Sequence, residues 1–209
     1  MKAIVSQLAG AAMLLATGAA QAELVVTDKT YRDFDGTFGY VSFDVTTHGA
    51  IKDLNVAIEF SKCDNPYIEA GGTACISRDR PFESEIVMRL IGPDGREVSL
   101  VELDTFDVGD SGVGRVTMTF DDEGQALGRR VQAGTFRPVG QLSTFDGMDM
   151  FGEWQLYFQD LARRDPLEVF SSSLIFNQLE AEVPEPGSLA MFGAGLFALG
   201  ALRRRRRSA

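Results

Sequence analysis

Short stretches of alternating apolar and polar residues fill the middle of the chain. Val41, Phe43 and Val45 alternate with polar residues, and the same period of two recurs further along. The later apolar sets are Leu54, Val56, Ile58 and Phe60; Val116, Met118 and Phe120; Trp154, Leu156 and Phe158; and Leu174 and Phe176. This period is typical of a strand with one buried face. No stretch between Glu23 and Glu182 keeps a helical period, so the pattern predicts an all-β domain.

A hairpin is predicted in the middle of this pattern. The apolar stretches 86–91 and 98–101 flank the sequence Gly-Pro-Asp-Gly, in which Pro93 presets one turn position and Gly95 permits a positive φ. Many short strands joined by turns rich in glycine and aspartate favour a β-sandwich.

The first 22 residues have the pattern of a signal peptide. Lys2 provides the positive charge, residues 3–20 are mostly apolar, and Ala20-Gln21-Ala22 is a site with small residues at its ends. Cleavage is therefore predicted between Ala22 and Glu23. The alternative interpretation is a buried N-terminal helix.

The C-terminus has a Pro-Glu-Pro corner, then an apolar run and then a basic cluster. The run from Leu189 to Leu202 would be about 21 Å long as a helix, whereas a full membrane span needs about 30 Å. The basic cluster, a predicted cytoplasmic stop, comprises Arg203, Arg204, Arg205, Arg206 and Arg207. The corner Pro184-Glu185-Pro186 would then lie on the outer side. The run suits a transient span, and a permanent tail anchor is the alternative.

This arrangement at residues 183–209 resembles the PEP-CTERM sorting signal of Gram-negative bacteria. The resemblance implies that an exosortase, a membrane-embedded cysteine transpeptidase, cuts near the Pro-Glu-Pro motif. It implies a precursor inserted in the inner membrane and a final place at the cell surface or in the extracellular matrix, with its exopolysaccharide.

The charge of the exported part limits its partners. The whole chain has 20 Lys and Arg and 30 Asp and Glu. Without Lys2, the five C-terminal arginines and Glu185, there remain 14 basic and 29 acidic residues, a net charge of −15. Such a surface repels nucleic acid and anionic polymers unless cations intervene, so nucleic-acid binding is excluded.

Both cysteines, Cys63 and Cys75, lie in the exported part. Two thiols in an oxidising compartment predict a disulfide closing a loop of about 13 residues, which would stabilise the fold by roughly 3 kcal/mol. Metal ligation is the alternative, but two cysteines without a nearby histidine do not complete a zinc site.

The second half of the domain carries another resemblance. The matching residues are Phe136, Pro138, Leu142, Phe145, Gly147, Gly152, Trp154, Leu156 and Asp160. They resemble the P domain (P/Homo B) of subtilisin-like proprotein convertases, over about residues 39–177. The resemblance implies a jelly-roll-like β-sandwich, here expected over residues 23–182, that supports a separate protease without cleaving peptides itself. The segment 165–174 lacks the family's usual glycine and tryptophan, and the cysteine loop resembles an insertion.

The sequence offers little for catalysis. His48 is the only histidine, and no Gly-x-Ser-x-Gly elbow accompanies it. Acidic clusters in the loops make calcium a possible cofactor, with Asp33, Asp35, Asp121, Asp122 and Glu123 as the candidate ligands. Neither cluster completes an EF-hand loop, and solvated acidic loops are the alternative.

Aromatic residues before the first alternating stretch are the one place for a carbohydrate platform: Tyr31, Phe34, Phe38 and Tyr40. Trp154, Phe158 and Phe120 are instead expected in the core. We therefore expect a non-catalytic exported protein that acts in adhesion, matrix structure or binding of another surface protein. The alternatives are a calcium-dependent module that binds exopolysaccharide and an accessory domain of a secreted subtilisin-like protease.

Overall fold

The structure, a computed structural model, describes residues 23–64, 74–76, 80–107 and 112–178. Ten strands account for most of these residues: β1 (Glu23–Asp28), β2 (Arg32–Phe34), β3 (Thr37–Val45), β4 (Ile51–Lys62), β5 (Ile86–Ile91), β6 (Glu97–Val101), β7 (Val113–Ala126), β8 (Gly134–Arg137), β9 (Gly152–Asp160) and β10 (Leu167–Gln178). Two single-turn 3-10 helices, Glu83–Glu85 and Leu142–Phe145, interrupt the connections. The expected all-β class is confirmed.

The strands form two sheets. The larger sheet has the order β1-β10-β4-β7-β8, and β2 also pairs with β10. The smaller sheet has the order β3-β9-β5-β6. Every pairing is antiparallel except that of β7 with β8. Because the chain crosses repeatedly from one sheet to the other, the two sheets share one core in a sandwich-like arrangement.

The alternating residues of both sheets meet in that core. Leu54, Val56, Ile58 and Phe60 of β4 are at most 1% exposed. Trp154, Leu156 and Phe158 of β9 are fully buried and belong to the same apolar cluster. Each strand therefore buries one face, as the period of two predicts.

The predicted hairpin is also confirmed. β5 and β6 pair across a turn in which the Gly95 N–H donates to the carbonyl oxygen of Gly92 at 2.9 Å. Gly95 has a φ of +82°, the left-handed conformation that favours glycine.

Three short strands differ from the predicted pattern. The alternation did not mark β1, β2 or β8, and β3 begins at Thr37, four residues before its first buried valine. Phe38 and Tyr40 therefore lie within a strand and not before it. In β1, Leu24 and Val26 are partly buried against the core, but the exposed Val25 between them hides the alternation in the sequence.

The predicted signal peptide, the Pro-Glu-Pro corner, the apolar run 189–202 and the arginine cluster lie outside the described residues. Among the residues that are described, no helix is long and apolar enough to cross a bilayer.

Candidate functional site

An exposed group of aromatic side chains lies on the outer face of the smaller sheet. Phe38 and Tyr40 of β3 are 58% and 50% exposed. Tyr40 pairs in register with Tyr157 of β9, so both side chains project from the same face. Their strand neighbours Val41 and Leu156 point the other way, into the core. We call Phe38, Tyr40 and Tyr157 the aromatic face.

The three rings contact one another. The ring centroid of Tyr157 lies 5.3 Å from that of Tyr40 and 5.8 Å from that of Phe38, and the Phe38 and Tyr40 centroids are 6.4 Å apart. These distances lie within the usual range for interacting aromatic pairs. The rings therefore form one continuous apolar surface on the sheet.

Polar groups border the aromatic face. The Tyr157 hydroxyl donates to Gln159 Oε1 at 2.9 Å, and burial raises the pKa of Tyr157. The Arg89 guanidinium carbon lies 5.7 Å from the Tyr157 ring centroid, and Arg89 pairs with Glu97 at 3.0 Å. Since Glu97 balances its charge, Arg89 offers hydrogen-bond donors without a large positive field.

A second polar group continues along the same face. Ser42 donates to Glu153 Oε1 at 2.8 Å, and Gln155 Nε2 donates to the same oxygen at 3.1 Å. Hydrogen-bonding amide, hydroxyl and carboxylate groups thus lie beside flat rings. That combination can bind a molecule whose surface alternates between C–H groups and hydroxyls.

Only two of the four residues predicted for the carbohydrate platform, Phe38 and Tyr40, lie on the aromatic face. Phe34 is 5% exposed and stacks on Phe158 inside the core, with ring centroids 5.7 Å apart. Tyr31 is exposed, but its ring packs against Phe170 of β10, in the larger sheet. Tyr157 was missed, although its place between the buried Leu156 and Phe158 indicates an outward side chain.

The calcium candidates occupy separate places. Asp35 accepts a hydrogen bond from the Arg164 N–H at 2.6 Å, and Asp33 lies in β2. Asp122 in β7 accepts from the N–H groups of Leu142 and Ser143 at 2.9 and 2.8 Å, which occupies both of its oxygens.

The other two candidates interact with each other. Asp121 Oδ1 accepts from the Glu123 N–H at 2.8 Å, and a side-chain hydrogen bond to Asp121 raises the pKa of Glu123. Within the described ranges, no three His, Cys, Asp or Glu side chains are grouped so as to hold a metal ion. Calcium binding stays a prediction.

His48 lies on the connection between β3 and β4. Its Nδ1 is 2.7 Å from Asp149 Oδ2, and its ring stacks on Phe151 with centroids 4.2 Å apart. The hydrogen bond from His48 is the main cause that lowers the pKa of Asp149 to about 2. In the described part of the chain no serine, threonine or cysteine side chain hydrogen-bonds to His48, so it lacks a nucleophile there.

The predicted disulfide is confirmed. Cys63 and Cys75 are bonded, with their Cα atoms 5.5 Å apart. Cys63 follows directly after β4 and is fully buried, so the bond attaches the cysteine loop to the end of a core strand.

The comparison with family models finds one match. Residues 182–207 match the PEP-CTERM protein-sorting motif. The match confirms the resemblance of the C-terminal segment, and it implies an exported precursor that is processed at the membrane and recognised by an exosortase. No curated protein matches the chain.

The comparison with solved structures finds distant matches. A serine protease of Aeromonas sobria is 12% identical with a TM-score of 0.35, and the match covers 74% of this chain and 27% of that one. The infectious bursal disease virus VP2 subviral particle is 13% identical with a TM-score of 0.23, covering 87% and 50%. The chain thus spans about a quarter of the protease chain. Similarity this low carries no argument about function.

Proposed function

We propose that this protein is an exported, non-catalytic binding protein of the cell surface or extracellular matrix, and that its aromatic face binds a neutral polysaccharide. The observation that carries the proposal is the contact among Phe38, Tyr40 and Tyr157 on a solvent-exposed sheet face. The match to the sorting motif supports delivery to the surface, where the resemblance of the tail implies an exopolysaccharide.

The chemistry of the face favours a sugar ring. Aromatic faces carry partial negative charge and attract the C–H edges of a pyranose, while the hydroxyls need hydrogen-bond partners at the border. Gln159, Arg89 and Gln155 provide such partners in neighbouring register positions of β9 and β5. The net charge of −15 on the exported part disfavours an anionic polymer.

We further propose that residues 23–182 form one sandwich of the P-domain type, between a signal peptide at 1–22 and the sorting signal at 183–209. The residues from Phe136 to Asp160 that resemble that family support this assignment. In this sandwich Trp154 and Leu156 are core residues of β9, a role that suits fixed family positions.

Affinity electrophoresis tests the binding. Gels containing a neutral glucan or galactan, or the anionic polymer alginate, should retard the protein only in the neutral gels. Tyr40→Ala should weaken retention at least tenfold, the equivalent of about 1.4 kcal/mol. Tyr31→Ala is the matched control, because Tyr31 is 52% exposed but packs on the larger sheet, and it should bind as the wild type does.

Other results would overturn the proposal. Retention in alginate alone, or equal loss in both variants, contradicts a neutral glycan on this face. A dimer that dissociates in Tyr40→Ala would mean that a second copy of the chain covers the face. Loss of retention in chelator, with Tyr40→Ala unaffected, would favour the calcium-dependent alternative.

Intact mass tests the sorting. The mature species should begin at Glu23 and end near Pro184-Glu185-Pro186, and only in cells that contain the exosortase. A mass that includes Arg203 to Arg207 in both strains would show a permanent anchor and contradict surface release.

A further inference from the structure

A buried charged cluster lies at the end of the core, on the side of the disulfide. Lys62 is the last residue of β4 and Asp160 is the last residue of β9, and both are 0% exposed. They stand at the inward positions that follow Ile58 and Phe60 in one strand and Leu156 and Phe158 in the other. The apolar alternation of each strand therefore ends in a buried charge.

Three carboxyl groups surround the single ammonium group. Lys62 Nζ lies 2.8 Å from Asp160 Oδ2 and 3.2 Å from Asp165 Oδ2, and it also donates to the backbone oxygen of Asp165. Glu85, which directly precedes β5, interacts electrostatically with Lys62, Asp165 and Asp160. Lys62 therefore contacts both Asp160 and Asp165, and Glu85 lies near enough to interact with all three.

Glu85 and the buried Asp160 are neighbouring carboxyl groups, and this proximity favours a proton on one of them. Glu85 Oε2 and Asp160 Oδ1 are buried and have no donor among the described residues. One proton between these oxygens would satisfy both. Burial raises the pKa of Asp160 to about 7 and also raises the pKa of Glu85, which agrees with such a proton.

We propose that Lys62 and Asp160 are joined by an amide bond that the folded protein forms by itself, with Glu85 and Asp165 as the proton-transferring groups. The inference does not depend on what the aromatic face binds. An amine held in contact with a protonated carboxyl group in a water-poor site has the proximity that accelerates acyl transfer by many orders of magnitude.

The reaction is balanced without an external reagent. Lys62 gives one proton to the Asp165 carboxylate, and the neutral amine attacks Cγ of the protonated Asp160. The nitrogen sheds a second proton to the Glu85 carboxylate, which returns it to the departing Oδ1. The Cγ–Oδ1 bond breaks and one water leaves, so Lys62 and Asp160 share an amide while Asp165 stays protonated.

One backbone group stabilises the intermediate. The Leu167 N–H donates to Asp160 Oδ2 at 3.2 Å, on the oxygen that carries negative charge after the attack and becomes the amide carbonyl. The donor belongs to the start of β10, so three strands and a 3-10 helix fix the reacting groups.

Mass spectrometry of the exported, reduced and denatured protein tests the bond. The wild type should weigh one water less than its sequence, its tryptic digest should contain the Lys62 and Asp160 peptides linked together, and trypsin should not cut between Lys62 and Cys63. Lys62→Arg keeps the positive charge but cannot form this amide, so it should show the full mass.

A second source of water loss must be distinguished. Asp35-Gly36, Asp94-Gly95 and Asp146-Gly147 can each close to a succinimide, which also removes one water. That loss would persist in Lys62→Arg and would leave the Lys62 peptide unlinked, so the variant and the linked peptide separate the two reactions.

The role of Glu85 has its own readout. In protein isolated unfolded from inclusion bodies, before any linkage has formed, and then refolded, Glu85→Gln should form the linked peptide at least tenfold more slowly than the wild type, since the amide side chain of Gln cannot transfer the proton. Equal rates would remove Glu85 from the mechanism. A wild type of full mass that trypsin cuts after Lys62 would overturn the proposal and leave the cluster as a buried ion pair, whether or not any variant folds.

Discussion

Trp154 and Tyr40 lie in neighbouring strands of the smaller sheet but in opposite surroundings. Trp154 is fully buried, contacts Phe145 and Phe176 edge to face, and donates from its indole nitrogen to the Met150 carbonyl at 2.8 Å. Tyr40 is half-exposed on the aromatic face. The same class of side chain is therefore part of the core at one position and of an exposed surface at the other.

Trp154→Ala should lower the free energy of unfolding by about 3–5 kcal/mol, because it leaves a cavity and an unpaired buried carbonyl. Tyr40→Ala should lower it by less than about 1 kcal/mol, as exposed positions usually do. Urea denaturation measures both unfolding free energies. The transition is monitored by far-ultraviolet circular dichroism, because that signal does not require the tryptophan. Equal losses would contradict the assignment of Tyr40 to an exposed contact surface.

His48 and Asp149 make a pH-dependent pair. The pKa of Asp149 is lowered to about 2, first by the His48 side chain and then by the N–H groups of Gly49 and Phe151. Because the folded-state pKa lies below the unfolded value, the pair stabilises the fold above about pH 4, and this contribution is lost as the pH falls toward 2.

His48→Ala should therefore raise the pKa of Asp149, although not to its ordinary value, since the two backbone donors remain. An NMR titration of the Asp149 carboxyl carbon measures the change. An unchanged midpoint in the variant would show that the backbone donors alone lower the pKa.

At the scale of the element, the turn of the β5–β6 hairpin at Gly95 depends on backbone conformation and not on packing. An added Cβ at Gly95 would meet no atom within 4 Å, yet φ there is +82°. Gly128 is equally open and has no positive φ, so the two glycines differ in conformation alone.

Gly95→Ala should lower the unfolding free energy by about 1–2 kcal/mol, the cost of a left-handed conformation for an L-residue. Gly128→Ala should be neutral, or stabilising by up to about 1 kcal/mol, because it restricts the unfolded chain. Thermal unfolding of the two variants side by side decides the matter. A loss at Gly128 as large as that at Gly95 would mean that conformation is not the cause.

The central strands were predictable because one of their faces is buried. Five strands each bury every second residue, and this produces a period of two in the sequence: β3, β4, β7, β9 and β10. β8 has four residues and pairs in parallel with β7, so its partner lies outside any local pattern. Phe34 was expected on the platform but is buried, because β2 folds its side chain onto Phe158 of the other sheet.

The site was less predictable than the core for a physical reason. The outward-facing residues of a strand share no hydropathy pattern, so the sequence alone does not indicate that Tyr157 lies beside Phe38 and Tyr40. Only the strand register brings the three side chains together. Lys62 and Asp160 did leave a signal, since a charged residue where an apolar one is due indicates a buried polar group. Their mutual distance, however, depends on how two sheets pack.

For the whole molecule, the two ends of the described chain lie side by side. Glu23 pairs with Asn177, so β1 starts where β10 is about to end. Neither the predicted leader nor the sorting tail is needed to complete a pairing of the described strands.

A chain of residues 23–178 should therefore fold by itself and unfold in one cooperative transition, with a free energy of unfolding within about 0.5 kcal/mol of that of the processed protein. Expression of that chain with its disulfide intact, followed by denaturation, makes the measurement. A non-cooperative or much earlier transition would show that residues beyond Gln178 belong to the folded unit.

The position of β10 between β1 and β4 determines how the protein bears tension. In a chain held at its C-terminal end, a pull enters at Gln178 and runs along β10, parallel to its long ladder with β4. The force then acts along the strands and shears the hydrogen bonds of that ladder. In this geometry many hydrogen bonds must break together, whereas a force across the strands would break them one at a time. The sheet that would hold the glycan connects to β10 through residues 161–166, directly beside Lys62 and Asp160. An amide there would add a second covalent route for the load, from β9 directly into β4, beside the peptide chain of residues 161–166.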